Sequence, residues 1–470
     1  MLSILKKYYP LRNILFFFGE GLLIFLAISA VYLEFKGWET YSQDLLIYSL
    51  RALIVSNIFQ LSFYFFDLYD LEKDLDPADT VLLLVQACGT GCIILAIFYY
   101  FFPTVVISGP VFWVSYIVTC SVLFIWRILF YLIIKNRLFI QPVLLLGSGK
   151  LAQAITNKLE GIKNEEGKIV GGLDSGFKIA AFVGNKAPRV NPRNAPVVPI
   201  GDSLLDLCKT YGASRIVVAH DDRRGKMPVQ ELLECKLHGI HIEDGLSFYE
   251  AITGKILIES VNPAWMIFSS GFQKSKTRLM AKRMMDIFAS SLGLILSFPI
   301  ALVTAICIKL DSPGPVLYSQ KRVGELGKEF TIYKFRSMIV DAEKAGYVWA
   351  LENDPRVTRV GSFIRVTRID EIPQMWNVLK GDMSFIGPRP ERPHFVKLLT
   401  KTIPYYALRH TVKPGITGWA QVCYPYGASE EDALRKLEYD FYYIKNLSTF
   451  MDMLVAFRTI KTIINRRGSR

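Results

Sequence analysis

The stretch 287-IFASSLGLILSFPIALVTAICI-308 decides how the chain is arranged around a membrane. About 20 apolar residues in a helix span the roughly 30 Å hydrocarbon core of a bilayer, so this stretch is long enough to cross. Crossing would place everything after Lys309 on the opposite side from the preceding residues. Pro299, near the middle, removes one backbone hydrogen bond and clashes with the carbonyl four residues earlier. We expect Ser297 to satisfy the freed carbonyl locally.

Basic residues flank this stretch on both sides, so charge gives no net push for crossing. They are Lys282 and Arg283 before it, and Lys309, Lys321 and Arg322 after it. Two interpretations remain open at this point. The segment is either a kinked fifth span or a re-entrant helix, which bends at a membrane break formed by Ser297 and Pro299 and returns to the same leaflet.

Four other apolar stretches, all upstream, have the length of transmembrane helices. They cover approximately residues 11–33, 45–69, 80–102 and 111–134. Lysines and arginines lie just before the first span and just after the fourth, which predicts that both ends of this region are cytoplasmic. For Glu20, Arg51 and Arg127, inside the spans, we expect interhelical contacts or interfacial positions rather than a polar path.

Residues 142–265 alternate between short apolar runs and helical segments, a pattern typical of a parallel doubly wound sheet. The first run ends in GSGKLA at 147–152, a G-x-G-x-x-A pattern that suits phosphate contact at a helix N-terminus. The second run, AAFVGNK at 180–186, has no acidic residue at its tip to bind a ribose. We therefore favour a scaffold or regulatory role for this Rossmann-like domain over dinucleotide binding.

Charge and cysteine usage narrow the functional classes. The net charge is +13, and residues 273–470 carry 31 basic and 18 acidic side chains, whereas the preceding residues carry 24 of each. A basic segment favours an anionic partner such as phosphate, nucleic acid or acidic headgroups. The seven cysteines form no C-x-x-C pair and the five histidines lack metal-ligand spacing. We expect neither a zinc site nor a disulfide framework.

Within this basic part, 365-RVTRIDEIPQMWNVLKGDMSFIGPRPERP-393 places Asp370 and Glu371 side by side among arginines. Helical spacing predicts a buried stripe, Pro373 suits the first turn and Gly381 the end. The stripe consists of Ile372, Met375, Trp376 and Leu379. Capping and the helix dipole explain one acid at a helix start, but not two acids with nearby arginines. Alternatively, one carboxylate attacks as a nucleophile kept ionised by the dipole and arginines, and the other holds a metal or moves a proton.

The C-terminal part resembles the bacterial polyprenyl-phosphate phosphoglycosyl transferases of the monotopic type. Four segments carry the resemblance: KLDSPGPVLYSQKRVG at 309–324, FTIYKFRSM at 330–338, RIDEIPQMWNVLKGDMSFIGPRPERP at 368–393 and VKPGITGWAQV at 412–422. It covers about residues 278–470, and the upstream spans and Rossmann-like unit resemble the family's long form. The resemblance favours the re-entrant helix. One departure is Phe298, which separates Ser297 from Pro299 where the family often has adjacent Ser-Pro.

The resemblance implies an α-helical membrane protein joined to α/β domains. Residues 1–140 would form a four-helix transmembrane bundle and residues 141–270 a Rossmann-like cytoplasmic domain. Residues 271–470 would form a monotopic α/β catalytic domain, with the re-entrant helix at about 284–310. It also implies a homodimer in the bacterial inner membrane, with the catalytic domain on the cytoplasmic face.

The implied reaction transfers a sugar 1-phosphate from a UDP-sugar to polyprenyl phosphate, usually undecaprenyl phosphate, at the start of exopolysaccharide, capsule or O-antigen synthesis. Asp370 would form a phosphosugar–aspartyl intermediate with release of UMP, and Glu371 would assist it, both holding Mg²⁺. Arg365 and Arg389 would bind phosphate. Weaker candidates for uridine-diphosphate or lipid-phosphate contact are Lys321, Lys334 and Arg336. No nucleic acid partner is implied, and the sugar is not specified.

Two other functional classes stand beside the transferase. An NAD-dependent sugar-nucleotide dehydratase or epimerase would need a dinucleotide site, yet the ribose-binding acid is missing and the YxxxK spacing falls in the membrane portion, as at Tyr131 and Lys135. A non-catalytic scaffold for polysaccharide assembly would not need the intact 365–393 stretch. The segment 451–470, apolar with interleaved cations, is expected to lie on the membrane interface or to dock on the domain.

Overall fold

A computed structural model describes the chain except for short gaps. The described residues are 2–4, 7–9, 11–70, 77–135, 140–163, 169–170, 172, 176–184, 191–199, 201, 203–220, 227–273, 275–340, 354–425, 427 and 429–464. The chain divides into two compact units, Met1–Phe248 and Tyr249–Arg470.

Unit 1 begins with a short strand pair and four long helices. These are β1 (Leu2–Ile4), β2 (Lys7–Tyr9), α1 (Leu11–Gln43), α2 (Leu45–Phe65), α3 (Pro77–Phe101) and α4 (Gly109–Lys135). All four helices contain a segment long and apolar enough to cross a membrane. Helix α1 runs about ten residues past the predicted first span, and Gly37 interrupts it with φ 75°, a conformation that glycine adopts readily.

The four helices share an apolar core in which each contributes buried side chains, among them Ile24, Phe59 and Leu95. The three charged residues singled out inside the spans make polar contacts between segments. Arg127 on α4 donates to Glu20 on α1, with 2.7 Å between Nη2 and Oε1, and Arg51 on α2 donates to the carbonyl oxygen of Thr104. The expected contacts between helices are therefore found for Glu20 and Arg127.

The rest of unit 1 surrounds a five-stranded sheet. Its elements are β3 (Gln141–Leu146), α5 (Lys150–Glu160), β4 (Ile162–Lys163), β5 (Ile169–Val170), β6 (Phe177–Val183), β7 (Val197–Val198), α6 (Leu204–Thr210), β8 (Arg215–Val218), α7 (Val229–Leu237), β9 (His241–Asp244) and α8 (Gly245–Thr253), which crosses the unit boundary. The strand order is β7-β6-β3-β8-β9, and every pairing is parallel. The first strand is central and later strands extend the sheet on both sides, which is a doubly wound arrangement.

The glycine turn after β3 requires its first glycine. Gly147 has φ 123°, and a Cβ there would lie 2.7 Å from the carbonyl oxygen of Ala219. The backbone of this turn thus passes against β8, as close helix–strand packing in a doubly wound sheet demands.

Within its described residues, unit 2 contains one long helix, two small sheets and several shorter helices. In order they are α9 (Pro263–Phe268), α10 (Lys276–Asp311), β10 (Leu317–Val323), β11 (Glu329–Phe335), α11 (Arg359–Val366), α12 (Gln374–Lys380), β12 (Ser384–Ile386), α13 (Pro393–Thr402), β13 (Gly415–Thr417), α14 (Trp419–Cys423), α15 (Glu430–Lys445) and α16 (Thr449–Ile464). Strands β10 and β11 form an antiparallel hairpin, and β12 pairs with β13 in parallel.

Residues just after the unit boundary contact the C-terminal helices. Lys255 Nζ lies 2.8 Å from Glu438 Oε2, and the indole Nε1 of Trp419 donates to the carbonyl oxygen of Gly254 at 2.8 Å. Residues 249–270 therefore belong to unit 2. The boundary between the units thus lies before the domain boundary that the sequence predicts at residue 270.

Helix α10 contains the apolar stretch that the sequence singled out. It is 36 residues long, continues through Pro299 and is apolar enough to cross a membrane. Ser297 Oγ is buried and makes no hydrogen bond within the described residues. The expectation that Ser297 satisfies the carbonyl freed by Pro299 is therefore not met.

Helix α10 packs on other elements of unit 2 near both of its ends. Near its start, Asp286 Oδ1 accepts hydrogen bonds from Ser384 Oγ and the Phe385 amide. Near its end, Ile308 joins a buried cluster with Ile364. An apolar face of the helix is more than half exposed, with Phe288, Ile295, Leu296, Phe298, Leu302, Val303 and Ile306.

Candidate active site

The acid pair lies on a 3₁₀ turn, Ile369–Glu371, between α11 and α12. Helix α12 begins at Gln374 with Pro373 at its N-cap, so the acids precede the helix rather than start it. Gly381 ends the helix with φ 101°, as predicted. Both acids are buried in this turn, and each residue is only 8% exposed.

Helix α12 buries a different face from the predicted stripe. Gln374, Asn377 and Val378 are buried, whereas Trp376 is 55% exposed. The side chain of Asn377 accepts from the Tyr333 amide at 3.1 Å and donates to the Thr331 carbonyl at 2.7 Å. The side-chain amide of Asn377 thus satisfies two buried backbone groups of β11. Leaving those groups unpaired would cost about 1–3 kcal/mol each. The polar residue therefore fixes α12 against β11.

Three cations converge on one oxygen of Glu371. The distances to its Oε1 are 2.9 Å from Lys334 Nζ, 3.4 Å from Arg389 Nη2 and 3.7 Å from Arg368 Nη1. Lys334 Nζ is also 3.8 Å from Asp370 Oδ2. One lysine thus contacts both carboxylates at unequal distances, in keeping with the expectation that two adjacent acids do not share a target symmetrically.

The pKa values of the two carboxyl groups move in opposite directions. Burial raises the pKa of Asp370 above its usual value, and the attraction of Lys334 only partly opposes it. Burial also acts on Glu371, but Lys334, Arg389 and Arg368 together hold its pKa below its ordinary value. The cations act on Asp370 in the expected direction, but burial outweighs them there, whereas they prevail over burial at Glu371.

Arg368 is a site residue that the sequence analysis did not nominate. Its backbone is left-handed, with φ 60°, which is uncommon for a residue other than glycine. Such conformations cluster at functional sites. Its position two residues before Asp370 was the only signal in the sequence.

Arg389 is held by a buried arginine that the sequence analysis also missed. Arg409 donates to the Arg389 carbonyl oxygen at 3.1 Å, and its guanidinium also binds Asp440 at 2.7 Å and the Tyr406 hydroxyl at 2.8 Å. The Arg389 side chain remains 41% exposed. The loop is thus fixed by its backbone, while its guanidinium stays accessible.

The other predicted cations lie elsewhere. Arg365, on the last turn of α11, helps lower the pKa of Asp354 to about 2, an effect due chiefly to a hydrogen bond from Arg356. Lys321 is exposed on β10, 3.6 Å from Glu329. Arg336 is 6% exposed and donates to backbone carbonyls. The structure brings Lys334 and Arg389 to the acid pair, and phosphate contact by the other three stays a prediction.

Asp370 and Glu371 are the carboxylates available for the predicted metal. Within the described residues, no three His, Cys, Asp or Glu side chains are grouped to hold an ion. Mg²⁺ often takes one or two protein carboxylates and completes its coordination with substrate phosphates and water. Two carboxylates meet that minimum, and Mg²⁺ binding by the pair stays a prediction.

Comparison with known proteins places this site in a family. A family model described as bacterial sugar transferase matches residues 277–466. One relative is the UDP-N-acetylgalactosamine-undecaprenyl-phosphate N-acetylgalactosaminephosphotransferase of Aeromonas hydrophila. The two sequences are 46% identical over 260 residues, and the match covers 55% of this chain and 60% of that protein. It is 30% identical over 360 residues to the undecaprenyl-phosphate galactose phosphotransferase of Salmonella typhimurium, covering 72% of this chain and 71% of that protein.

A shorter relative matches over nearly its whole length. The exopolysaccharide production protein PSS of Rhizobium leguminosarum bv. phaseoli is 41% identical over 197 residues, which is 40% of this chain and 97% of that protein. This match shows that a protein of roughly the size of unit 2 exists by itself among the relatives.

Proposed function

The chain belongs to the bacterial sugar transferase family, and we propose that it transfers a sugar 1-phosphate from a UDP-sugar to polyprenyl (undecaprenyl) phosphate, releasing UMP. The observation that carries the proposal is the buried Asp370 beside a Glu371 on which Lys334, Arg368 and Arg389 converge. Phosphoryl transfer depends mainly on positioning and charge neutralisation, and this cluster supplies both.

In the first step, a carboxylate oxygen of Asp370 attacks the phosphorus that carries the sugar. The pyrophosphate bond breaks, UMP leaves with the bridging oxygen, and a phosphosugar–aspartyl intermediate forms. Asp370 suits this role because Lys334 lies closer to Glu371, so the negative charge of Asp370 is less neutralised. The guanidinium of Arg389, whose side chain is 41% exposed, would contact the phosphates of the donor.

In the second step, a phosphate oxygen of the polyprenyl phosphate attacks the same phosphorus. The bond to Asp370 breaks, the carboxylate is regenerated, and polyprenyl-diphosphosugar is released. Glu371 keeps Lys334 in contact with both acids during the two steps. The lysine therefore partly neutralises the negative charge of either carboxylate. Mg²⁺ held by Asp370 and Glu371 would supply further neutralisation of the pyrophosphate oxygens.

The proposed membrane arrangement has four crossings by α1 to α4 and a re-entrant α10. Support comes from the contacts of α10: Asp286 near its start and Asp311 near its end both accept hydrogen bonds from unit 2. A helix crossing the bilayer would pull this polar surface into hydrocarbon, where unsatisfied groups cost several kcal/mol each. The exposed apolar face of α10 would instead contact lipid.

The remaining assignments follow from the family and from this topology. The protein would reside in the bacterial inner membrane as a multi-pass homodimer with its active site on the cytoplasmic face. There it would start exopolysaccharide, capsule or O-antigen synthesis. The doubly wound sheet of unit 1 would be a Rossmann-like scaffold.

The test uses full-length protein in lipid nanodiscs with undecaprenyl phosphate. Because the relatives' names differ in the sugar, the donors are ³²P-labelled UDP-N-acetylgalactosamine, UDP-glucose and UDP-galactose. Lipid-linked product is expected with at least one donor, and none with Asp370→Asn. The matched control is Asp432→Asn, which changes a capping residue of α15 and should keep activity. Absence of product with every donor would overturn the proposed function. Full activity of Asp370→Asn would overturn the assignment of Asp370 as the nucleophile.

A further inference from the structure

Arg336 is a buried cation whose partners are the carbonyls at the end of α10. Its guanidinium nitrogens donate to the carbonyl oxygens of Pro313 at 2.6 Å, Ser312 at 2.8 Å and Ile308 at 3.4 Å, and to Ser312 Oγ at 3.0 Å. Within the described residues it makes no ion pair with a carboxylate. The last carbonyls of a helix lack partners in the helix and carry partial negative charge. Arg336 thus acts as a cap supplied by a neighbouring strand.

The same strand reaches the acid pair. Lys334, two residues before Arg336, contacts both Glu371 and Asp370. Phe335, between them, is buried in a cluster with Ile308 of α10. The last two residues of β11 and the residue that follows it therefore connect the acid pair, the core and the end of the apolar helix.

Two further contacts tie α10 to the elements on either side of the acid pair. Asp311 Oδ2 accepts a hydrogen bond from the Val360 amide of α11 at 3.1 Å. Arg283 donates to the carbonyl oxygens of Val378 at 2.6 Å and Leu379 at 2.7 Å, at the end of α12. Helix α10 is thus bonded to the helix before the pair, the helix after it and the strand that carries Lys334.

We propose that Arg336 is a positioning residue. It fixes Lys334 and the acid pair at the same height relative to the membrane as the C-terminal end of α10. This inference rests on the proposed function. The phosphate of a polyprenyl acceptor lies in the headgroup plane, so the height of the acid pair above that plane decides whether the acceptor reaches the phosphosugar. A soluble donor approaches from water and does not depend on this height. Loss of Arg336 therefore impairs the second step more than the first.

The two steps are measured separately on full-length protein in nanodiscs. Exchange of radiolabelled UMP into the UDP-sugar reports the first step, and lipid-linked product reports the second. A misplacement of about 1 Å costs up to about 100-fold in rate. For Arg336→Met we expect lipid-linked product to fall by about 10- to 100-fold and exchange to stay within about twofold. Arg336→Lys, which keeps the charge but not the fork of donors, should recover part of the second step.

Gly314→Ala provides an independent variant that leaves Arg336 in the chain. Gly314 has φ 124°, and a Cβ there would lie 2.0 Å from Arg336 Nη1, so the guanidinium must move. The same selective loss of the second step is expected. Arg435→Met is the matched control, because it removes a cation paired with Glu438 at 3.1 Å on α15. It should change both steps in parallel or neither.

Equal loss of both steps in Arg336→Met and Gly314→Ala would overturn the positioning role. So would a loss of exchange accompanied by a raised KM for the UDP-sugar, which is the result expected if Arg336 bound donor phosphate. Failure of the proposed function has a different signature, since wild-type protein would then show neither exchange nor lipid-linked product.

Discussion

Two buried charge clusters of unit 2 differ in how their charges balance. Arg409 and Asp440 form a closed pair, 2.7 Å apart, and both side chains are almost inaccessible. At the acid pair, three cations share one oxygen of Glu371, and one of them, Arg389, is 41% exposed. A closed pair mainly holds structure together, whereas an open cluster with accessible cations can receive an anionic substrate. Removing a residue should therefore cost mainly stability at the first cluster and mainly activity at the second, although Arg409 also holds the Arg389 carbonyl oxygen.

The largest effect is expected from Asp370→Asn. Transfer to the lipid should fall by about 10⁴-fold or more, because the attacking group is lost. Stability should not fall, since burial raises the pKa of Asp370 and its charged form is already disfavoured in the fold. Product formation and thermal unfolding of the same preparation check both statements. A clear drop in melting temperature would contradict the contrast between the clusters.

Breaking the closed pair should act on stability. Arg409→Met leaves Asp440 buried without its partner, which should lower the free energy of unfolding by about 3–5 kcal/mol. Chemical denaturation in detergent measures this loss. The double variant Arg409→Met/Asp440→Leu is the control, because it removes both charges and should recover most of the loss. If the double variant is no more stable than the single one, unpaired charge is not the cause.

Arg389→Gln tests the cluster at the acid pair. Transfer should fall by about 100-fold, the scale seen when one stabilising donor is removed from a transition state. The free energy of unfolding should change by at most about 1 kcal/mol, because partly exposed ion pairs contribute little. Kinetics with the preferred UDP-sugar and a denaturation curve are the two measurements. A stability loss as large as that of Arg409→Met would make the two clusters alike.

The smallest effect is expected from Arg368→Asn. Asparagine tolerates the left-handed backbone, so the free energy of unfolding should stay within about 1 kcal/mol of wild type. One of the three cations is lost, and transfer should fall by about tenfold, which corresponds to roughly 1.4 kcal/mol. Arg368→Lys is the control and should restore most of the activity. Unchanged activity in Arg368→Asn would remove Arg368 from the site.

Features written in local patterns were predictable from the sequence. The four apolar spans and the strands of the parallel sheet lie close to their predicted positions, because hydropathy and period act over neighbouring residues. The family was also predictable and is confirmed, since its motifs are contiguous and ordered. Asp370, Glu371, Lys334 and Arg389 were all nominated from these motifs, and the fold brings them together.

The errors concern interactions between distant segments. The buried face of α12 was predicted wrongly because Asn377 is fixed by strand β11, more than forty residues earlier. The charge distribution in the acid pair depends on burial and on Lys334, neither of which the spacing of residues 365–393 reveals. The hydrogen bonds of Arg336 to backbone carbonyls at the end of α10 were also not evident from the sequence, and its contact with phosphate stays a prediction.

The exposed apolar face of α10 has a kinetic consequence. An enzyme held in a bilayer by such a face meets its lipid acceptor in two dimensions, so the relevant concentration is molecules per unit of membrane area. Adding phospholipid or detergent at a constant total amount of acceptor would then slow transfer by surface dilution. The UDP-sugar, which arrives from bulk water, would show no such dependence.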